Sequence, residues 1–181
     1  WLLERSIERW PNFRREAPYA VLLPGAGQPS KVLSTDVLAA LARLLAARNL
    51  EVVVAWGPSE LERAEAVVAG AEDAAEAAPP TNIEQLTVLL GGASVVVGAD
   101  TGPIHLAASL GAPTLGVFLT TDWRRNGPLG PHTAVLSAAE LPKKVHPGRA
   151  GVKPGTMPSA ETIDRKVTQL LADPNLSDSG G

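Results

Sequence analysis

The chain has 181 residues, 45% apolar and 19% charged, with 16 basic against 19 acidic side chains and a formal net charge of −3. That is enough for one domain with a sizeable core, and it offers neither the basic field nucleic acid requires nor an acidic tail. The lack of cysteine excludes a disulfide framework and a thiolate metal site and suits a reducing compartment; no apolar run approaches the ~20 residues of a membrane span, and no signal peptide is visible in a sequence that begins on Trp1 rather than Met.

Residues 1–16, WLLERSIERWPNFRRE, read as a charged amphipathic helix or lead-in broken by Pro11. YAVLLPG (19–25) is a short buried strand ending in glycine. From Ser34, an N-cap type, the residues Val37, Leu38, Leu41, Leu44 and Leu45 form one apolar stripe at helical spacing. EVVVAWG (51–57) is a second strand, followed by a helix over 59–70 with Ser59 as its expected cap. DAAEAAPP predicts a short strand and loop, and IEQLTVLLGGA (83–93) a helix ending at Gly91-Gly92. SVVVGAD (94–100) is a strand, 103–110 a helix, PTLGVFL (113–119) a strand and HTAVLSA (132–138) one more. A last helix is expected over 159–173, before a polar, frayed tail.

Strands apolar throughout, alternating with helices, define an α/β protein: a doubly wound parallel sheet covered on both faces, Rossmann-like. Ligands of such sheets bind beyond the carboxyl ends of the strands. Three strand-to-helix loops gather the polar and glycine residues there: PGAGQPSK, WGPSE and ADTGP.

The first loop begins like a dinucleotide fingerprint, with Gly25 and Gly27. The third glycine position is Ser30, however, Pro29 interrupts the helix start, and the second strand ends on Ala55-Trp56 rather than on an acid. A Walker loop also fails, because Lys31 lies between Ser30 and Val32. Lys31 is then either a solvated surface charge or a point charge for a phosphate at the mouth of the sheet. Glu60 is either an acid favoured near a helix N-terminus or a carboxylate accepting from two vicinal ribose hydroxyls.

The third loop carries the strongest signal. Pro103 suits the first helical position and Gly102 the cap before it. The N–H groups of Thr101 and Gly102 with the helix N-terminus then form an anion site. A protonated His105 in that first turn opposes the helix dipole and requires an anionic partner; a neutral, core-packed His105 is the alternative. Asp100 is either a turn former or a receptor for sugar hydroxyls. A carboxylate, N–H groups, a hydroxyl and an imidazole at one strand end suit a sugar attached to a diphosphate.

The segment DTGPIHLAASLGAP (100–113) resembles the signature of the glycosyltransferase family 9 heptosyltransferases. LLPGAGQPSK, WGPSELERA, NIEQLTVLLGGASVVVGADTG and GPLGP follow in the family's order, so the resemblance runs from about Tyr19 to Leu136. WGPSELERA leans toward the heptosyltransferase I subgroup. The resemblance implies the C-terminal half of a GT-B fold, with residues 1–18 the interdomain connection or the end of an N-terminal domain, 19–173 the nucleotide-sugar donor domain and 174–181 a disordered tail.

It further implies that Lys31 holds a diphosphate and Glu60 the ribose hydroxyls. Asp100 would face the heptose, with Thr101, Gly102 and His105 around the phosphates and Thr81 and Ile83 walling the adenine. Where the heptosyltransferase I pattern has hydroxyl-bearing residues before the lysine, this chain has Ala26-Gly27, so phosphate contacts there fall to the backbone. The family's tryptophan shortly after that lysine is absent, the chain reading Lys31-Val32-Leu33.

The implied reaction moves heptose from ADP-L-glycero-D-manno-heptose to the lipopolysaccharide inner core with inversion. The catalytic base is expected in an N-terminal domain that this sequence does not resemble, so the chain alone is expected to bind donor without turnover. Its expected partners are the nucleotide sugar and a lipid-linked core acceptor, with no nucleic acid, no metal and no cofactor. The expected place is the cytoplasm, at the inner face of the bacterial inner membrane. The competing readings are a non-catalytic nucleotide-sugar-binding module and a transferase for another nucleotide sugar.

Overall fold

The computed structural model describes residues 2–13, 15–139 and 153–172. The expected tail, 174–181, lies outside the described residues. Helix α1 (Leu2–Arg9) and a 3₁₀ turn (Pro11–Phe13) precede strand β1 (Tyr19–Leu23). Then follow α2 (Thr35–Ala46), β2 (Glu51–Val54), α3 (Leu61–Gly70), β3 (Glu76–Ala77) and α4 (Ile83–Gly91). The chain continues through β4 (Val95–Ala99), α5 (Gly102–Ser109), β5 (Thr114–Phe118), α6 (Trp123–Asn126), β6 (Thr133–Ser137) and α7 (Ala160–Leu171).

All six strands are parallel, in the order β3-β2-β1-β4-β5-β6. Strands β1, β4 and β5 are buried at every residue because helices cover both faces. Alternation along β1 sends Ala20 and Leu22 to one face, where Leu38, Leu41 and Leu45 of α2 and Ile163 and Val167 of α7 pack. Tyr19, Val21 and Leu23 point to the other, against Leu89 and Leu90 of α4 and Ile104 and Ala107 of α5. Each fully buried Leu, Ile or Val contributes about 1.5–3 kcal/mol over leaving it exposed. The lead-in docks on the same domain: Trp10 Nε1 donates to Glu84 at 3.0 Å, and a Cβ on Gly91 would collide with Leu3.

The strand order fixes the site. From β1 the chain winds outward through β2 to β3, then returns to the opposite side of β1 for β4. The loops after β1 and β4 therefore leave in opposite directions and open a crevice at the switch point.

Two expected caps move. Ser59 does not cap α3: it sits in the left-handed region at φ 67°, one residue before the cap position, which Glu60 takes without a side-chain cap bond. In α5 the cap is Thr101, with φ −142° and ψ 162°, and Gly102 is already helical, one residue earlier than its Pro103 suggested. Ser34 holds its place before α2 without a side-chain cap bond. The strands end earlier than their apolar runs, since Pro24-Gly25 and Trp56-Gly57 belong to the loops. Two short elements lack any legible period, the 3₁₀ turn Pro29–Lys31 and α6.

Candidate functional site

A cavity of about 640 Å³ fills the crevice between the loops after β1, β2 and β4, closed at one end by the start of α4. Lys31, Glu60, Thr81, Ile83, Asp100, Thr101 and Gly102 all line it, with Ala26 and Gly27. His105, the remaining candidate, does not.

Lys31 reaches the crevice because the 3₁₀ turn Pro29–Lys31 carries it over the end of β4. Its Nζ donates to Asp100 Oδ2 at 2.5 Å, with the two side chains only 14% and 9% exposed. Thr121 donates to the same oxygen at 3.0 Å. Burial pushes the Asp100 carboxyl up, but the hydrogen bond and charge of Lys31, with Thr121 and His105, outweigh it and hold the group below the usual aspartate range.

Glu60 is neither a first-turn acid nor a partner of its own helix. The left-handed turn at Ser59 swings it back, so that Oε2 accepts from the Gly57 N–H at 2.8 Å. A Cβ on Gly25 would overlap the Glu60 carboxylate where it lies, so any side chain there would have to displace the end of Glu60. Glu60 thus joins the loops after β1 and β2 with its carboxylate in the cavity wall.

At the third loop the Thr101 hydroxyl is buried and has no hydrogen-bond partner. An unsatisfied buried hydroxyl is costly unless a ligand meets it. Thr101 also caps α5, whose first N–H groups have no intrahelical acceptor. The rim beside α4 is set by a capping box, in which Asn82 Oδ1 accepts from the Gln85 N–H and the Gln85 side chain from the Asn82 N–H. This pins Ile83 at the cavity with 66% of its surface exposed, beside Thr81 and Leu86. Opposite, Trp56 is fixed by its Nε1–H to Ala78 O at 2.7 Å.

His105 lies across Asp100 from Lys31. Its Nε2 is 3.6 Å from Asp100 Oδ1 and its side chain is 42% exposed, which removes the core-packed alternative. It lines a second cavity of about 500 Å³ with Asp100, Ser109, Arg125, Asn126, Gly127 and Leu129. Asp100 alone, among the candidate residues, lines both cavities.

Sequence reasoning missed Trp56 as a wall and the loop after β5 altogether. Trp56 is a large aromatic in the loop just past the carboxyl end of β2, which was a usable signal. Thr121 follows β5 as Asp100 follows β4, and the carboxyl-end rule extends to it. Among the described residues, no group of three or more His, Asp or Glu side chains could hold a metal ion. No described helix is long and apolar enough to cross a membrane.

The fold and the cavity define a Rossmann-like α/β domain with a cavity lined by Lys31, Glu60, Asp100 and Thr101 at its switch point, the kind of domain that forms one half of a GT-B architecture. Residues 4–150 match the model of the family described as Glycosyltransferase family 9 (heptosyltransferase), and the chain belongs to that family.

It is 37% identical over 107 residues to lipopolysaccharide heptosyltransferase 1 of Pseudomonas aeruginosa, covering 59% of this chain and 30% of that protein. Lipopolysaccharide heptosyltransferase 1 of Escherichia coli K12 is 33% identical over 121 residues, covering 66% of this chain and 38% of its own. The structure of the E. coli heptosyltransferase WaaC with ADP superimposes with a TM-score of 0.73 at 26% identity, over 90% of this chain and 48% of WaaC. WaaC with ADP-2-deoxy-2-fluoro heptose gives 0.71 at 27% identity, over 91% and 47%. The chain therefore spans well under two thirds of the length of these relatives.

Proposed function

We propose that this chain is the C-terminal, donor-binding half of a heptosyltransferase, which takes ADP-L-glycero-D-manno-heptose for transfer to the lipopolysaccharide inner core. The observation that carries the reading is convergence: Lys31, Glu60, Asp100 and Thr101, from three separate loops, line one cavity at the switch point. The names of the matched relatives supply the sugar and the pathway; the cavity supplies the chemistry that fits them.

In this reading the diphosphate meets Lys31, the Thr101 hydroxyl and the N-terminus of α5, with backbone contacts from Ala26 and Gly27. Glu60 accepts from the ribose hydroxyls, and the base lies against Ile83 and Thr81, where apolar surface is otherwise left to water. Asp100 faces the glycosyl group, and His105 approaches from the far side of that carboxylate. In the whole enzyme a base outside this chain removes the proton of an acceptor hydroxyl. The acceptor oxygen attacks the anomeric carbon with inversion, the bond from that carbon to the diphosphate oxygen breaks, and ADP departs. Lys31 and the α5 N-terminus stabilise the charge that develops on the leaving diphosphate, so the site is proposed to work without a metal.

Calorimetry with ADP and UDP, joined to a transfer assay with ADP-heptose and acceptor, tests the reading. The expected result is ADP binding without transfer by this chain alone. Absence of ADP binding at millimolar concentration would overturn the donor site. UDP binding at least ten times tighter than ADP would reassign the base, hence the sugar nucleotide, and leave the site standing.

A further inference from the structure

Lys31 has two claimants. One is the Asp100 carboxylate it already holds, and the other is the diphosphate assigned to it above. Both side chains of the pair are largely buried, and a buried carboxylate stripped of its cation is strongly disfavoured. A donor that draws the ammonium toward its phosphates therefore leaves Asp100 in need of another partner.

Around Asp100 the remaining polar groups come from α5, α6 and the loop after β5. His105 of α5 stands 3.6 Å from Oδ1, too far for a strong hydrogen bond. Arg125 of α6 lines the smaller cavity with Asp100 but makes no bond to it. Thr121, in the loop after β5, donates to Oδ2 at 3.0 Å, on the oxygen that Lys31 also uses. The Thr121 side chain is 1% exposed and does not line the larger cavity, so a ligand entering there does not displace it.

We propose that Thr121 is a positioning residue for the donor: its hydroxyl keeps Asp100 partnered and oriented while the diphosphate takes Lys31. The proposal rests on the donor-site reading. Its consequence is a coupling between two residues of which only one touches the ligand. Without the Thr121 hydroxyl, Asp100 depends more on Lys31 and releases it less readily, so the diphosphate binds more weakly. Without the Asp100 charge, Lys31 has one claimant and the hydroxyl no longer matters to the ligand.

The test is ADP calorimetry on this chain carrying Thr121→Val, Thr121→Ser, Asp100→Asn and the Thr121→Val/Asp100→Asn pair, with a carbon-13 NMR titration of the Asp100 carboxyl in the ligand-free protein. Valine matches threonine in shape, and affinity is referred to folded protein by thermal melts. The expected result is about tenfold weaker ADP binding for Thr121→Val, from the loss of a hydrogen bond to a charged group. Thr121→Ser restores binding, Thr121→Val adds nothing in the Asp100→Asn background, and the Asp100 carboxyl titrates higher in Thr121→Val than in the unsubstituted chain.

Equal losses in both backgrounds, or a lower melting temperature with unchanged ADP affinity per folded molecule, would make Thr121 merely structural and overturn the proposal. So would an Asp100 titration that Thr121→Val does not move. If the unsubstituted chain binds no ADP, the donor-site reading falls and takes the proposal with it; if it binds ADP and Thr121→Val binds it equally well, the proposal falls alone.

Discussion

The two cavities that meet at Asp100 are built from different materials. The larger is walled by loops leaving three adjacent central strands, with backbone at Ala26, Gly27 and Gly102, with Lys31 tied across to the loop after β4 and with Glu60 tied to Gly57 within its own loop. The smaller is walled by side chains of α5 and α6, among them His105 and Arg125, and opens beside Leu129, which is 87% exposed. The first is organised before any ligand arrives, because Lys31 is held across to Asp100 and Glu60 to the Gly57 N–H of its own loop. The second has one shared, well-held group, Asp100. A preorganised site loses little freedom on binding, which favours the larger cavity for the proposed nucleotide, with the smaller coupled to it through Asp100.

The largest expected effect breaks the comparison at its strongest point. Lys31→Ala removes the cation from the larger cavity and leaves Asp100 buried without its partner. ADP affinity is expected to fall by roughly ten- to a hundredfold in calorimetry, the range of a charge-assisted hydrogen bond, and the ligand-free melting temperature is expected to fall too. Full affinity in Lys31→Ala would move the diphosphate elsewhere.

Gly25→Ala comes next and acts on stability, since its Cβ meets the Glu60 carboxylate. Because the carboxylate ends a flexible side chain and can swing aside at the loss of its Gly57 bond, a cost of about 1 kcal/mol, the low end for overpacking, is expected, read as a lower urea midpoint. Pairing it with Glu60→Ala should restore most of that stability. Glu60→Ala alone should weaken ADP about tenfold yet leave inorganic pyrophosphate affinity unchanged, because the acid is proposed to read ribose and not phosphate.

A pH series sharpens the role of the shared carboxylate. The folded protein holds Asp100 below its usual range, so the stabilisation from that group is complete above the unfolded-state pKa and is lost as pH falls through the folded-state value. Thermal melts of the unsubstituted chain and Asp100→Asn should therefore converge at low pH; parallel curves would show that the pair contributes nothing.

Two small effects close the series. His105→Ala, confined to the smaller cavity, is expected to weaken ADP by no more than about threefold. EDTA is expected to leave ADP affinity unchanged, and a requirement for a divalent ion would contradict charge neutralisation by Lys31 and α5.

Much of this was open to reading along the chain. Apolar runs such as VVV at 52–54 and 95–97 announce buried parallel strands, and the 3.6-residue stripe through Leu38, Leu41 and Leu45 announces α2, because each pattern follows from the geometry of a single element. Thr101, Gly102 and Pro103 announce a helix start after a strand, hence an anion site. Such signals are local, and they survive in one dimension. Where a conformation depends on something outside the segment, they fail: Ser59 has a capping side chain, but the turn that brings Glu60 to Gly57 and Gly25 forces it into the left-handed region.

The pairing of Lys31 with Asp100 is the clearest case beyond the reach of pattern. The two lie 69 positions apart, and each alone reads as an ordinary surface or turn residue. They meet because β4 returns to the free side of β1, and nothing in either segment encodes which strand lies beside which. Thr121 joins them only because β5 adds to β4 in parallel, which sets its end beside Asp100. Periodicity and capping are written in neighbouring residues and fix the elements; strand order is chosen by the burial of whole faces, and the ion pair, its hydroxyl partner and the two cavities follow from that choice.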